Sequence, residues 1–469
     1  MTRRPLLVVV ALCLIVAACG TRVTEEVSSN TSLVERQASS SGDGGTSATT
    51  GGDSTASTIA GATGSSDTTG GAGSTTTGGS SGTTGGSSSG TTGGTAAGAT
   101  DALGTGTGIP TGPPVVLGAV GTKSGIVGAA LGGGFRGVTV WEKWVNTHGG
   151  LQGRPVKVIQ VDDAGDPGKH AAAVRKLIRE DGVVAFIGNI APFTFSAGVP
   201  ILEDAGVPAL GGDGADAAWF GSPIAFPING QTISRSRPGA KWALAHLPQR
   251  KAAVFYVSEA AAPKQLALNF VDEWKKGGGQ VVAQAGVSIA TPDFTSEVVQ
   301  AKSAGADILF ILLEKAACNR FFDAEVRQGY APVTLAPACT LDTAVGHKAI
   351  TANKLYSLGA ARNVTGPGSP AETEAWNAGQ RFDPTLALDG AFAFGWLAGK
   401  LLQVALAQPG AVISPKGIID ALHRLPPTGL GGLTPVESWG PGVHPEGRCG
   451  LVSEFDGTRF VLKTPDFIC

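Results

Sequence analysis

Residues 115–125 read VVLGAVGTKSG, an apolar run followed at once by a turn that carries Gly118 and Gly121. Helical periodicity follows over 128–148, and further short apolar runs occur at 156–161, 183–187 and 207–210, separated by helical stretches. Continuous apolar strands that alternate with helices are typical of parallel sheets covered on both faces. This segment therefore predicts an α/β fold.

A second series of the same kind begins at residue 252. Apolar runs are predicted at 252–257, 281–287 and 307–313, helical stretches at 263–276, 293–304 and 316–328, and a long helix at 390–407. Residues 113–469, about 357 in number, are enough for two such units. We expect two Rossmann-like lobes with parallel sheets and a cleft between them. Ligands of such sheets bind at the carboxyl ends of the strands, so a ligand is expected in this region.

The composition of the whole chain excludes two broad classes of protein. The 469 residues include 71 glycines and carry a formal net charge of −2. Without a basic excess, a nucleic-acid partner is not expected, because binding to phosphates requires clustered positive charge. The one long apolar run, at 6–16, lies at the N-terminus, which argues against a protein with several membrane spans.

The N-terminal residues predict export and lipid attachment. Arg3 and Arg4 precede the apolar run, so residues 1–18 are predicted to be a signal peptide. Residues 16–19, VAAC, resemble a bacterial lipobox, which implies a diacylglyceryl group on Cys19; a plain cleaved signal is the alternative. Residues 19–112 are rich in Ser, Thr and Gly, and we expect a disordered tether with a span of about 50–60 Å.

Four cysteines lie in the predicted globular part: Cys318, Cys339, Cys449 and Cys469. In an exported protein an even number of cysteines predicts disulfides. Three pairings are possible, and the sequential one is favoured because the two members of each pair lie close in the sequence. A metal site is the alternative, but the sequence has no C-x-x-C motif and its six histidines are scattered. We expect neither a metal nor a cofactor.

Two motifs have a catalytic alternative. Residues 86–90, GSSSG, fit the G-x-S-x-G pattern of hydrolases, but that motif needs a preceding strand and a following helix, and neither is predicted there. Asp162 and Asp163 are candidates for metal binding or acid catalysis, yet residues 165–167, GDP, favour a turn and a helix N-cap. The sequence has no P-loop and no H-E-x-x-H motif, so we do not expect an enzyme.

Five pieces of sequence together resemble the leucine/isoleucine/valine-binding family of periplasmic solute receptors. They are GAVGTKSG at 118–125, WVNTHGGLQGRP at 144–155, DDAGDP at 162–167, RKLI at 175–178 and DGVVAFIG at 181–188. The resemblance implies the type I periplasmic-binding-protein fold, with two lobes joined by a three-stranded hinge. It implies a lobe 1 of residues 113–233 and 366–427, and a lobe 2 of residues 234–365 and 428–469.

The resemblance also implies that the ligand lies between the lobes. Amino-acid receptors of this family hold the α-carboxylate with hydroxyls and backbone amides of the loop after the third strand, which is 188–194 here; that loop lacks the expected pair of hydroxyl residues. The predicted cleft residues are Ser124, Asn189, Ile190, Ala191, Phe193, Thr194, Gly212, Asp213, Glu314 and Asp342. The three carboxylates either bind an ammonium or a polyol or lie in solvated loops, and Phe193 either contacts a ligand or belongs to the core.

Together these observations predict a lipid-anchored solute-binding protein on the extracytoplasmic face of the cell membrane. It would capture a small polar molecule, an amino acid or a related compound, and deliver it to the permease subunits of an ABC importer. The alternative is a tethered extracellular sensor or partner-binding lipoprotein with the same fold and no transporter, which the long tether favours. A third interpretation is a structural role without a ligand.

Overall fold

The computed structural model describes residues 108–125, 128–228, 235–259, 261–364, 366–386, 388, 390–444 and 448–469. The predicted signal peptide, Cys19 and nearly all of the predicted tether lie outside these residues. The described residues from 108 onward belong to one compact unit, which contains two β-sheets covered by helices. The predicted two-lobed α/β fold is confirmed.

The first sheet has five parallel strands in the spatial order β2-β1-β3-β4-β5. Their bounds are β1 Val115–Gly121, β2 Val156–Asp162, β3 Phe186–Ile187, β4 Ala209–Leu210 and β5 Ala225–Phe226. Six of the seven β1 residues are buried. Burial on both faces explains why this strand appears in the sequence as a continuous apolar run.

Helices from both halves of the chain cover the first sheet. They are α1 Gly128–Thr147, α2 Pro167–Arg179, α3 Phe195–Ala205, α4 Ala218–Gly221, α11 Pro370–Phe382, α12 Gly390–Leu406 and α13 Pro415–Arg424. Helix α12 is buried along most of its length, so its side chains are apolar almost all round. None of the helices in the described part of the chain is both long and apolar enough to cross a bilayer.

The second sheet has seven strands in the spatial order β12-β11-β10-β9-β8-β6-β7. The strands β6 Lys251–Val257, β7 Gln280–Val287, β8 Ile308–Leu312, β9 Val333–Leu335 and β10 Leu355–Gly359 are parallel. The strands β11 Leu451–Phe455 and β12 Phe460–Leu462 add an antiparallel edge that the sequence pattern did not predict. The helices of this lobe are α5 Ser236–His246, α6 Ala261–Lys276, α7 Thr295–Ser303, α8 Lys315–Gln328, α9 Leu341–Gly346 and α10 Lys348–Thr351.

The chain passes between the two sheets three times, as a three-stranded hinge requires. The crossings lie between β5 and α5, between β10 and α11, and between a 3-10 turn at Leu430–Gly432 and β11. Arg362 joins the second crossing to the third, because its Nε donates to the carbonyl of Gly432 at 2.9 Å and its Nη2 to the carbonyl of Pro465 at 2.7 Å. The backbone N–H of Arg362 also donates to the carbonyl of Leu433 at 2.9 Å.

The segment after residue 428 packs on the core of the first sheet before it reaches the second. Leu430, Leu433 and Trp439 are buried in that core, and the indole N–H of Trp439 donates to the carbonyl of Pro227 at 2.6 Å. The predicted lobe boundary at 428 stays a prediction, and these contacts favour a boundary after Trp439.

Two disulfides form between sequence neighbours, in the pairing that the sequence favours. Cys318 pairs with Cys339, and Cys449 pairs with Cys469. The first joins the start of α8 to the loop after β9, and the second holds the C-terminal segment beside β11. A disulfide that closes a loop of about 20 residues stabilises a fold by roughly 3 kcal/mol in the chain-entropy model.

Glu325 on α8 is a buried carboxyl group in the second lobe, and its burial predicts a pH-dependent stability. It is 2% exposed, and burial raises its pKa well above the ordinary value, although Lys354 acts in the opposite direction. The folded state therefore holds this proton more tightly than the unfolded state, so the stability that Glu325 contributes falls as the pH rises above about 4.5.

The variant Glu325→Gln is expected to be more stable than the natural protein at pH 8, by on the order of 1 kcal/mol, and about equally stable at pH 4. Urea unfolding at the two pH values measures this difference. The matched control is Asp323→Asn on the same helix, an exposed carboxylate whose replacement is expected to change the stability by less than about 0.5 kcal/mol at either pH. A Glu325→Gln variant that is destabilised equally at both pH values would contradict the expectation.

Candidate functional site

A cavity of about 520 Å³ lies between the two sheets, at the carboxyl ends of their strands. The loops after β3 and β4 line it from the first lobe, and the ends of β6, β8, β9 and β10 line it from the second. The second hinge crossing and helices α11 and α12 close another side. The cleft predicted at the carboxyl ends of the strands is thus present as a cavity.

The first lobe presents a mainly apolar wall. Helix α1 and the loops after β3 and β4 contribute Leu131, Ile190, Pro192, Phe193, Asp213 and Ala215 to the lining. Phe193 is 43% exposed, so its ring lies at the cavity rather than in the core. Among these six described residues, Asp213 is the one with a polar side chain; Gln380 on α11 adds another polar side chain from the same lobe.

The second lobe and the hinge complete the lining. Of the 35 described residues that line the cavity, 26 have apolar side chains and two are glycines. The seven polar lining residues are Asp213, Arg235, Glu314, Thr340, Ser357, Asn363 and Gln380. A concave apolar surface with a few polar groups is the usual composition of a small-molecule site.

Helix α11 carries two lining residues, and its start is fixed by a capping box. The hydroxyl of Ser369 accepts from the N–H of Glu372 at 3.3 Å, and the Glu372 carboxylate accepts from the N–H of Ser369 at 2.8 Å. This reciprocal cap satisfies two backbone donors and sets the point where the helix begins. Trp376 and Gln380 then lie one turn apart on the side of the helix that lines the cavity.

Asp213 and Arg235 are two of the three charged residues among the described lining, and they act on one another. Asp213 is 6% exposed, and its Oδ1 accepts from the N–H of Ala215 at 2.8 Å. Burial, more than the neighbouring Asp216, raises the pKa of Asp213 to about 7, and the attraction of Arg235 opposes the rise. Burial lowers the pKa of Arg235 to about 10, so that residue remains a cation at neutral pH.

Glu314 lines the cavity but uses its carboxylate as a helix cap. Its two oxygens accept from the backbone N–H groups of Ala316 and Ala317, each at 2.7 Å, at the first turn of α8. A carboxylate at this position also interacts favourably with the helix dipole. The charge of Glu314 is therefore already stabilised by its own helix.

Of the ten predicted cleft residues, the cavity brings together Ile190, Phe193, Asp213 and Glu314. Ala191 lies behind this wall and contributes a backbone hydrogen bond to Asp213. Gly212 lies outside the lining, where a Cβ atom would approach the Trp219 ring to 2.1 Å, so that position serves packing.

The other four predicted residues also lie outside the lining and have partners elsewhere. The Asn189 Oδ1 accepts from the N–H of Val120 at 3.1 Å, and the Thr194 hydroxyl donates to Asp163 at 2.6 Å. The N–H of Ser124 donates to Asp162 at 3.2 Å, and Asp342 pairs with Lys315. Direct contact of these residues with a ligand stays a prediction, and their observed partners favour structural roles.

Several lining residues were not predicted from the sequence. Arg235 stands in the stretch RSRPG at 235–239, where nothing distinguishes it from Arg237. Trp376 and Gln380 belong to a helix whose amphipathic pattern predicts only a surface packed on a core. Their approach to the cavity depends on the second hinge crossing, which brings a distant segment back to the first lobe.

No group of three or more His, Cys, Asp or Glu side chains in the described residues is arranged to hold a metal ion. Asp163, His170 and Thr194 do come together, with His170 Nδ1 and the Thr194 hydroxyl at 2.8 and 2.6 Å from Asp163 Oδ2. All three are fully buried and lie outside the cavity lining. This set therefore supports the first lobe rather than a reaction with a solute.

The sequence profile of the periplasmic binding protein family matches residues 114–452, which include the first lobe, the hinge and most of the second lobe. The chain belongs to this family. The Leu/Ile/Val-binding protein of Escherichia coli (strain K12) is 26% identical over 198 residues, which are 42% of this chain and 53% of that protein. The chain thus spans about half the length of the curated relatives that it matches. These relatives and the fold place the chain with periplasmic binding proteins of the leucine/isoleucine/valine-binding kind.

Two solved structures show the same fold in this family at low sequence identity. One is the branched-chain amino acid transporter substrate binding protein LivJ from Streptococcus pneumoniae in complex with isoleucine, with a TM-score of 0.65, 15% identity and coverage of 76% of this chain and 99% of that chain. The other is a fatty acid ABC transporter substrate-binding protein from Thermomonospora curvata, with a TM-score of 0.64, 16% identity and coverage of 75% and 91%. Both support the type I fold with two lobes.

Proposed function

We propose that this protein captures a small solute between its lobes, closes around it and presents the closed form to the permease of an ABC importer. The observation that carries the proposal is the cavity itself, which is lined from the carboxyl ends of both sheets and from the hinge. Closure of the hinge would follow binding because a ligand that contacts both lobes binds the closed state more tightly than the open one.

The same proposal places the protein on the extracytoplasmic face of the membrane, with a lipid on Cys19 as its anchor. The support is the resemblance of residues 16–19 to a lipobox and the family of the globular part. A diacylglyceryl group supplies two acyl chains, which stable membrane anchoring requires. The Leu/Ile/Val-binding relative and the ABC transporter neighbours support solute transport as the purpose of capture.

A bulky residue at the cavity wall tests the proposal. Ala338 is exposed and lines the cavity after β9, so the variant Ala338→Trp is expected to fold and to obstruct the ligand. The control is Ala245→Trp on the exposed face of α5, outside the cavity lining. A thermal-shift screen of the full chain against amino acids, amides, polyols, sugars and straight-chain or aromatic carboxylates identifies a solute that binds.

At 100 times its Kd a solute should add about 2.7 kcal/mol to the stability of the natural chain and of Ala245→Trp. At the same solute concentration, the shift in melting temperature should disappear in Ala338→Trp. Equal shifts in both variants would place the solute elsewhere. A chain that no solute stabilises, and from which denaturation releases no small molecule, would favour the structural interpretation.

A further inference from the structure

The residues that line the cavity indicate the chemistry of the larger part of the solute, which we call its body. This inference rests on the proposed function. The volume of about 520 Å³ lies in the range of sites for drug-sized ligands, about 300–1,000 Å³. Apolar side chains line it from both lobes and from the hinge, among them Leu131, Leu313, Leu388 and Phe394. Such a surface binds a solute with an extended apolar body most tightly, because the binding free energy becomes more favourable as more apolar area is buried.

The polar lining residues define the head of the solute. Glu314 already caps α8 through both carboxylate oxygens, as described above. Arg235 is the one lining residue with a cationic side chain, and its Nε has no hydrogen-bond acceptor among the described residues. A guanidinium group binds a carboxylate through parallel hydrogen bonds, with more specificity than an ammonium group provides.

Asp213 is the charged group that acts on Arg235 at this end of the cavity, and Asp216 and Arg235 in turn act on Asp213. Asp216 accepts from the backbone N–H groups of Ser196 and Ala218, each at 2.9 Å, so its charge is held by the first lobe. Because burial brings the pKa of Asp213 to about 7, a fraction of these carboxyl groups is protonated at neutral pH. A protonated Asp213 leaves the charge of Arg235 incompletely balanced and tolerates an anion beside it.

We propose that the solute is an amphipathic carboxylate, with a linear or branched apolar body in the cavity and its carboxylate beside Arg235. An amino-acid zwitterion fits less well, because its ammonium group needs an anionic partner beside Arg235. The carboxyl group there, Asp213, is partly protonated at neutral pH and already accepts from the backbone N–H groups of Ala191 and Ala215. The described lining of the first lobe supplies no hydroxyl, and Glu314 is occupied by its helix. The solute class thus differs from the small polar molecule that the sequence predicted.

Two series of ligands, titrated into the full chain, test the proposed class of solute. The first compares butanoate, hexanoate and octanoate, and the affinity is expected to rise about fourfold for each added methylene group. The second compares octanoate with octan-1-ol and octylamine at pH 7, and octanoate is expected to bind at least tenfold more tightly than either. Isothermal titration calorimetry measures both series, with leucine as the amino-acid reference.

The variant Arg235→Met tests the position of the carboxylate. It is expected to lower the affinity for octanoate at least tenfold and to leave the affinity for octan-1-ol within about twofold, which also shows that the variant is folded. Arg237→Met is the matched control, since Arg237 lies two residues away, is exposed and donates to Asn269 at 3.0 Å outside the cavity. Arg235→Lys is expected to keep part of the preference for the carboxylate.

The outcomes distinguish a failure of the proposed solute class from a failure of the proposed function. Tighter binding of leucine than of octanoate, with loss of leucine binding in Ala338→Trp, would overturn the class and leave solute capture intact. Equal affinities for octanoate and octan-1-ol, or an Arg235→Met variant that binds octanoate as tightly as the natural chain, would overturn the role of Arg235. Binding of octanoate that Ala338→Trp does not weaken would overturn its placement in the cavity.

Discussion

Replacing Gly137 with alanine is expected to destabilise the folded protein by about 3 kcal/mol, because helices α1 and α12 touch through glycines. A Cβ atom at Gly137 would lie 2.4 Å from the carbonyl oxygen of Phe392 on α12. On the other helix, a Cβ atom at Gly395 would lie 2.0 Å from the carbonyl oxygen of Gly134. Both obstacles are backbone atoms, so only a shift of one helix relieves the clash. Urea unfolding measures the loss.

The matched control is Gly132→Ala on the same helix. A Cβ atom there would be 4.0 Å from the carbonyl oxygen of Lys123 and so makes only ordinary contact. Since alanine is a better helix former than glycine, this variant is expected to gain up to about 1 kcal/mol. Stabilisation of both variants would show that α1 and α12 do not approach as closely as the structure indicates.

Replacing Asp163 with asparagine is expected to cost about 3 kcal/mol of stability. The carboxylate is fully buried and accepts from Thr122 and Gly165 at Oδ1 and from His170 and Thr194 at Oδ2, at distances of 2.6 to 2.8 Å. Burial raises the pKa of Asp163, but these hydrogen bonds outweigh it and hold the pKa below the ordinary value. In asparagine one oxygen becomes an NH2 group, so two of the four donors lose their acceptor.

Asp166→Asn in the same loop is the control for this variant. The Asp166 carboxylate caps α2 by accepting from the N–H of Lys169 at 2.9 Å, and asparagine is an equally good N-cap. We therefore expect a change of less than about 0.5 kcal/mol, measured by urea unfolding beside Asp163→Asn. Equal losses of stability in the two variants would mean that the buried hydrogen bonds of Asp163 contribute no more to stability than the helix cap of Asp166.

The sequence predicted the layers of the fold well, because the strands of buried parallel sheets are continuous apolar runs. The run at 115–120 became β1, and the long apolar helix predicted at 390–407 became α12. The antiparallel edge of β11 and β12 was missed. Half-exposed short strands such as Phe460–Leu462 carry a weaker pattern, and their pairing depends on the third hinge crossing.

The candidate site was less predictable, because a loop sequence does not show where its side chains point. Asn189 and Thr194 have the polar groups that a ligand site needs, yet the structure uses both inside the first lobe. Arg235 lines the cavity while Arg237 does not, although the two residues lie only two positions apart at the start of α5. Asp213 was predicted from the family resemblance, as one of three carboxylates that either bind an ammonium or a polyol or lie in solvated loops.

Photolabelling of the full chain with octanoate that carries a diazirine on its chain tests most directly whether the solute lies between the lobes. After irradiation, mass spectrometry of peptides locates the labelled residues. We predict labels on both walls, in peptides that contain Ile190 or Phe193 and in peptides that contain Leu313 or Leu341, and their loss in Ala338→Trp. Labels confined to one lobe, or unchanged in Ala338→Trp, would contradict binding in the cavity.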